Sequence, residues 1–199
     1  IKEAEELANS GTSEIILVGQ DTSRYGIDLY GEKTLPRLLN ELSKIEGIKW
    51  IRVLYLYPEE FTDELIQTFR DNKKVLHYVD LPLQHISTSV LRRMARRTSK
   101  EEILSLIEKL RREIPDMVLR TSLIVGFPQE TQEEFDELYN FIGDMKLDKV
   151  GVFTYSKEEG TSAALMKGQI PHKLKEQRRN LIMTRQQEIS RKINENKIG

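Results

Sequence analysis

Val118-Leu119-Arg120-Thr121-Ser122-Leu123-Ile124-Val125-Gly126-Phe127-Pro128 is the stretch that decides the fold. Apolar and β-branched residues dominate it, and a glycine and a proline close it, so it reads as a strand. One cation, Arg120, stands inside the run. A buried cation needs a partner or an anionic ligand, because an unpaired buried charge is costly. Directly behind the strand, Thr131 and Glu134 form a capping box before Phe135, Leu138, Tyr139 and Ile142, which predicts a helix.

The same strand-then-helix unit repeats outward from there. Residues 14–19 are a short apolar run ending in Gly19, which fits a strand covered on both faces. Leu35, Leu38, Leu39, Leu42 and Ile45 follow at helical spacing. Residues 50–57 read as a strand closed by Pro58, and Leu65, Ile66 and Phe69 mark a short helix. Residues 77–82 are a weaker strand, and Val90, Leu91 and Met94 mark another helix. Ser99 and Glu102 form a second capping box, before Ile103, Ile107, Leu110 and Ile114. Residues 150–155 are the last strand. Strands joined by helices imply right-handed crossovers and a parallel sheet. The chain opens on an amphipathic helix, IKEAEEL, which implies a strand ahead of it, and both ends read as cuts. The expected architecture is α/β: an open partial (β/α)6 TIM-like barrel with its first strand missing, and a long C-terminal helix. In domain terms, residues 1–170 form the barrel, and residues 171–199 form a helix leading to a domain outside the chain. The apolar stripe of that helix is expected at Leu174, Leu181, Ile182, Ile189 and Ile193, with its basic residues on the surface.

Composition narrows the function classes. The net charge is -1, which gives no electrostatic case for a nucleic-acid or membrane partner. No apolar run approaches a membrane span, and the N-terminus lacks the pattern of a signal peptide. With no cysteine, disulfides and thiolate-held metals are excluded within these residues. A cytoplasmic location is expected. His77, His85 and His172 show no metal-ligand spacing. Walker, Rossmann and serine-hydrolase signatures are absent.

In parallel α/β folds, sites lie at the carboxyl ends of the strands. The residues there are Gln20-Asp21-Thr22, Tyr57-Pro58, Pro82-Leu83-Gln84-His85, Gly126-Phe127-Pro128 and Tyr155-Ser156. Each has a plainer reading. Asp21 can cap the next segment, Gln84 can satisfy a loop, and a lone His85 is more often a hydrogen-bonded structural residue. Arg120 can pair with a core carboxylate such as Asp80, and Gly126 can serve backbone geometry alone. The basic run Arg92-Arg93-Met94-Ala95-Arg96-Arg97 invites an RNA reading, but most charge runs are solvated helix faces.

Taken together, four segments resemble the radical S-adenosylmethionine methylthiotransferases. They are residues 15–22 with Tyr25-Gly26, residues 81–87 with Leu91, Met94 and Arg96, residues 120–128 with Glu130-Thr131, and residues 153–156 with Glu158-Glu159-Gly160-Thr161. Asp21, His85 and Glu158-Glu159-Gly160-Thr161 make the chain more similar to the branch that methylthiolates an aspartate of a small-subunit ribosomal protein than to the tRNA adenosine branch. It departs from the pattern at Gln129, where the family usually has Gly. The resemblance implies S-adenosylmethionine as cofactor and [4Fe-4S] clusters in the parent protein, held by cysteines this chain lacks. It implies that Arg120 meets the cofactor carboxylate, Gln84 the ribose, Gln20 and Asp21 the amino group, and Tyr155 the adenine. His85 is then a candidate substrate contact. The implied partner is a ribosomal protein or the ribosome, with RNA contact through a C-terminal domain outside these residues, no membrane, and a monomeric state. Two readings compete with it. One is a cluster-free aldolase-type barrel using His85 or a lysine, although no lysine lies within a strand core. The other is a non-catalytic fragment that docks a ribosomal partner through Arg92 to Arg97.

Overall fold

A computed structural model describes residues 1–198 of the chain. In chain order the elements are α1 (Lys2–Asn9), β1 (Glu14–Leu17), α2 (Ile27–Tyr30), α3 (Leu35–Ser43), β2 (Trp50–Val53), α4 (Asp63–Asp71) and β3 (Val75–Gln84). They continue with α5 (Thr88–Arg93), α6 (Lys100–Glu113), β4 (Val118–Val125), α7 (Gln132–Met145), β5 (Lys149–Thr154), α8 (Ser162–Leu165) and α9 (His172–Glu195). The strands form one open sheet in the order β1-β2-β3-β4-β5. β1 runs parallel to β2 with Leu17 opposite Val53, and β4 runs parallel to β5 with Val125 opposite Thr154. The expected parallel α/β architecture is what the chain adopts.

Two compact units divide the chain. The first is Ile1–Leu81 with Ser105–Val118, and the second is Pro82–Leu104 with the chain from Leu119 onward. In the first, Leu35, Leu39, Ile51, Val53, Phe69 and Val79 are fully buried. Only one face of its strands is covered, contrary to the expectation for residues 14–19. Ile15 is buried while its neighbour Ile16 is 51% exposed and Val18 63% exposed. Helices occupy one side of the strands, so alternate side chains face outward.

The second unit shows the same alternation. Leu119, Thr121, Leu123 and Val125 are buried, while Arg120, Ser122 and Ile124 share the half-exposed face of β4. Both capping boxes are present. Thr131 Oγ1 accepts the Glu134 N–H at 3.2 Å while Glu134 Oε2 accepts the Thr131 N–H at 2.9 Å. Ser99 and Glu102 exchange the equivalent pair at 3.3 and 2.7 Å. Gln129 adopts φ 65°, a left-handed conformation that favours glycine.

α9 departs most from expectation. Its buried residues are Lys175, Arg178, Ile182 and Gln186, while Leu181 is 52% exposed. The helix packs on β5 and α7, where it meets backbone carbonyls as well as apolar side chains. Lys175 Nζ donates to the Tyr155 carbonyl at 2.8 Å, and Arg178 donates to the carbonyls of Glu130 at 3.2 Å and Thr131 at 3.3 Å. Gln186 Nε2 donates to the Leu147 carbonyl at 2.8 Å. These carbonyls lie outside the sheet ladder and need donors when buried, so the face carrying polar donors turns inward. The segment assigned to a separate role, residues 171–199, reaches Gly199, which lies outside the described residues.

Candidate functional site

In the first unit, the ends of β1 and β2 are laced by short polar contacts. The Gly19 N–H donates to Thr22 Oγ1 at 3.0 Å, and the Thr22 N–H donates to the Tyr55 carbonyl at 3.0 Å. Asp21 accepts the Ser23 hydroxyl, and Ser23 Oγ accepts the Tyr57 N–H at 3.3 Å. Asp21 is thus half-exposed and engaged by its own loop, while Gln20 is exposed. Tyr55 stands at φ 58° with its N–H on Asp80 Oδ2 at 3.3 Å, and Asp80 is buried. An aromatic residue in the left-handed region is strained and persists only when its surroundings hold it. Tyr55 is not among the site residues expected from the sequence. Its signal was Asp80, a carboxylate inside an apolar strand.

The second unit carries the denser network. Gln84, the last residue of β3, has φ 69° and is half-exposed. Beside it, His85 is 0% exposed. Its Nδ1 accepts the Ser87 N–H at 3.0 Å, so the proton of the neutral ring sits on Nε2. Nε2 lies 3.9 Å from Glu130 Oε2, too far for a hydrogen bond. Burial pulls the imidazole down to about 3, so the ring stays neutral at physiological pH. The Nε2–H is therefore a buried donor without a hydrogen-bond partner among the described residues.

Glu130 is the hub. Its Oε2 accepts the N–H groups of Gly126 at 2.6 Å and Phe127 at 3.3 Å, and its Oε1 pairs with Arg178 Nη1 at 2.7 Å. The two side chains are 0% and 4% exposed. Burial raises the Glu130 carboxyl above its ordinary value, and Arg178 with the two amides opposes that rise. Lys175 lies one turn before Arg178 on α9. Its stem fills the space above Gly126 (φ 72°), where an added methyl group would overlap Lys175 Cγ.

Tyr155 follows β5 and sits beside that loop. Its N–H donates to the Val125 carbonyl at 2.9 Å, and its ring meets Phe127 edge-on at 5.2 Å. The Lys175 ammonium lies 4.9 Å from the ring centroid. The Tyr155 hydroxyl is buried and has no hydrogen-bond partner among the described residues. Arg120 lies on the half-exposed face of β4, five residues before Val125, roughly 16 Å along the strand at the usual rise. Arg120 therefore stands on the half-exposed strand face and not at the strand end.

The basic run at and after the end of α5 is partly engaged by the protein itself. Arg93 Nη2 pairs with Glu134 at 2.7 Å, and Arg96 donates to the Pro82 carbonyl. Only Arg92 and Arg97 of the four arginines are exposed. A groove of about 550 Å³ between α7 and α9 is lined by Phe135, Tyr139, Leu174, Arg178, Leu181 and Arg185 among others. Among the described residues, no group of three or more His, Asp or Glu side chains is placed to hold a metal, and no helix is long and apolar enough to cross a membrane.

Residues 1–142 match the family model described as the radical SAM superfamily. Over all 199 residues the chain is 60% identical to a Clostridium botulinum protein named ribosomal protein uS12 methylthiotransferase RimO. It is 58% identical, again over 199 residues, to the protein of that name from Clostridium perfringens. The chain spans 45% of the length of each of these relatives. Among solved structures, it is similar to the radical SAM enzyme HemN, the coproporphyrinogen III oxidase of Escherichia coli. That match has a TM-score of 0.65 at 18% identity, over 92% of this chain and 43% of that one. The radical S-adenosylmethionine methyltransferase TsrM of Kitasatospora setae gives a TM-score of 0.59 at 16% identity, over 77% of this chain and 29% of that one. At such identities the likeness is one of fold.

Proposed function

Because the chain belongs to the radical SAM superfamily, we propose that it is the S-adenosylmethionine-binding core of a methylthiotransferase that modifies a small-subunit ribosomal protein. The observation that carries this reading is the 60% identity, sustained across all 199 residues, to proteins named for that reaction on uS12.

The two cofactors of the proposal fare differently against the residues present. The chain contains no cysteine, so nothing in it fits an iron–sulfur cluster, and no step through a cluster is derived from it. S-adenosylmethionine fits better. A cationic Arg120 on an open strand face suits its carboxylate, since a guanidinium clasps one bidentately. A buried Tyr155 hydroxyl without a partner suits the polar edge of its base. When bound, S-adenosylmethionine supplies the methyl group and the adenosyl fragment that the proposed chemistry uses. In this reading Gln84 meets the ribose, and Gln20 and Asp21 meet the amino group. His85 lies on the substrate side, with an Nε2 that has no hydrogen-bond partner among the described residues.

The remaining parts of the proposal follow the same resemblance. Residues 1–170 act as the barrel, and residues 171–199 lead toward a further domain that contacts RNA. The protein works in the cytoplasm as a monomer, and its partner is the ribosomal protein or the assembled small subunit.

The test uses a protein of the relatives' length, reconstituted anaerobically with iron and sulfide. It is incubated with S-adenosylmethionine, reductant and small ribosomal subunits, and the ribosomal proteins are then analysed by mass spectrometry. The proposal expects one methylthio group on a single aspartate of one small-subunit protein. Modification of tRNA adenosine instead, with the protein untouched, overturns it.

A further inference from the structure

We propose that Lys175 is a positioning residue for the adenosine end of the cofactor, acting through Tyr155. The inference rests on the reading of Tyr155 as the neighbour of the adenine.

The case begins with the oddity of the side chain. Lys175 is 8% exposed, yet among the described residues no carboxylate lies within ion-pair distance of its ammonium. What Nζ has is the Tyr155 carbonyl at 2.8 Å and the Tyr155 ring at 4.9 Å. Burying an ammonium against one carbonyl and one aromatic face is a weak return for its lost hydration. A methionine would fill the same space above Gly126 without that cost. The charge is therefore spent on one residue, and that residue follows β5.

The local framework makes Lys175 a lever with a fixed base. One turn later on α9, Arg178 is locked to Glu130, which holds the Gly126 and Phe127 N–H groups. The Lys175 stem covers the same Gly126 from the other side. Val125 and Thr154 are register partners, so one side chain spans the ends of two adjacent strands. Tyr155 has its N–H on Val125, its carbonyl on Lys175 and its ring against Phe127. Of its polar groups only the hydroxyl is left without a partner. That hydroxyl is the group offered to a ligand, and Lys175 sets where it points.

The experiment uses the 199-residue chain and S-adenosylhomocysteine, which carries the same adenosine. Dissociation constants are measured by titration calorimetry for the wild type, Lys175→Met, Tyr155→Phe and the double variant. Losing one neutral hydrogen bond predicts a roughly three- to tenfold weaker affinity for Tyr155→Phe. Lys175→Met keeps the packing and is expected to weaken binding to a similar degree, with the double variant no weaker than Tyr155→Phe within about twofold, because both act on the same hydroxyl. Lys175→Arg, which retains a donor, recovers part of the loss. Unchanged affinity for Lys175→Met beside a weakened Tyr155→Phe overturns the positioning role and leaves the adenine reading intact. Unchanged affinity for Tyr155→Phe, or no measurable binding by the wild type, overturns both. A second readout needs no variant: the Lys175 side-chain NMR signals shift when the probe binds the wild type, and their invariance at saturation overturns the role.

Discussion

Replacing Arg178 by methionine isolates what holds α9 to the β4 loop. The guanidinium and the Glu130 carboxylate are 4% and 0% exposed and 2.7 Å apart. The same guanidinium also donates to the carbonyls of Glu130 and Thr131. Methionine fills similar space but leaves a buried carboxylate with two backbone amides and no cation. Breaking a buried pair from one side costs about 3–5 kcal/mol. In a chain of this size that corresponds to a fall in melting temperature of roughly 6–20 °C. Adding Glu130→Gln removes the orphaned charge, so the double variant recovers more than half of the loss. The penalty also depends on pH, with a defined sign. Burial already places the folded-state carboxyl above its ordinary value, and removing Arg178 lifts it further. Such a group binds its proton more readily in the folded state, so its contribution falls as pH rises through that window. The Arg178→Met penalty is therefore larger at pH 8 than at pH 5, because lower pH favours the protonated, uncharged Glu130. Thermal unfolding followed by far-UV circular dichroism reads both effects. Equal penalties at pH 8 and pH 5, together with no rescue by Glu130→Gln, refute the ion-pair account.

Other consequences follow from the same contacts. Gly126→Ala forces a methyl group into the Lys175 stem at φ 72° and costs about 2–5 kcal/mol from strain and overpacking; a Lys175→Ala background recovers the packing share in a double-mutant cycle. Ile182→Ala, at a fully buried site, costs about 2–5 kcal/mol, whereas Leu181→Ala, one residue earlier and half-exposed, stays within about 0.5 kcal/mol. His85 remains neutral across pH 5–8 by ring NMR, because burial holds it near 3. Its unfolded form takes up a proton below about 6.5, so its part of the stability is lost as pH falls from there toward 3, and His85→Gln flattens that limb of the pH–stability curve.

The strands and helices were legible in the sequence because their signals are local. Gly126 and Pro128 ended β4, and Thr131 with Glu134 marked the first turn of α7, as the hydrogen bonds bear out. Gln129 adopts a left-handed φ of 65°, a conformation in which glycine is favoured. The burial face of α9 was not legible. An apolar stripe through Leu181 is the natural reading of an isolated helix, but which face turns inward is set by what it packs on. Here that surface presents the Tyr155, Glu130, Thr131 and Leu147 carbonyls, and it selects Lys175, Arg178 and Gln186. The burial of His85 was not legible for the same reason, since a histidine after a strand reads alike whether its ring turns outward or into a core. Arg93 and Arg96 read as a charge run because Glu134 and the Pro82 carbonyl are distant in sequence. Tyr55 was missed because its left-handed backbone leaves no trace at the residue itself, and the carboxylate that holds it, Asp80, lies 25 residues further along the chain.

The central claim is that the open strand face of this chain holds S-adenosylmethionine through Arg120. Titration of S-adenosylmethionine into the wild-type chain and into Arg120→Met tests it directly, with melting temperatures recorded beside the affinities. Loss of a charge-assisted, bidentate contact predicts roughly ten- to 150-fold weaker binding for Arg120→Met. Arg120→Lys, which keeps the charge but loses the fork, falls between. Equal affinities for the wild type and Arg120→Met, in a variant that melts within a few degrees of the wild type, contradict the claim.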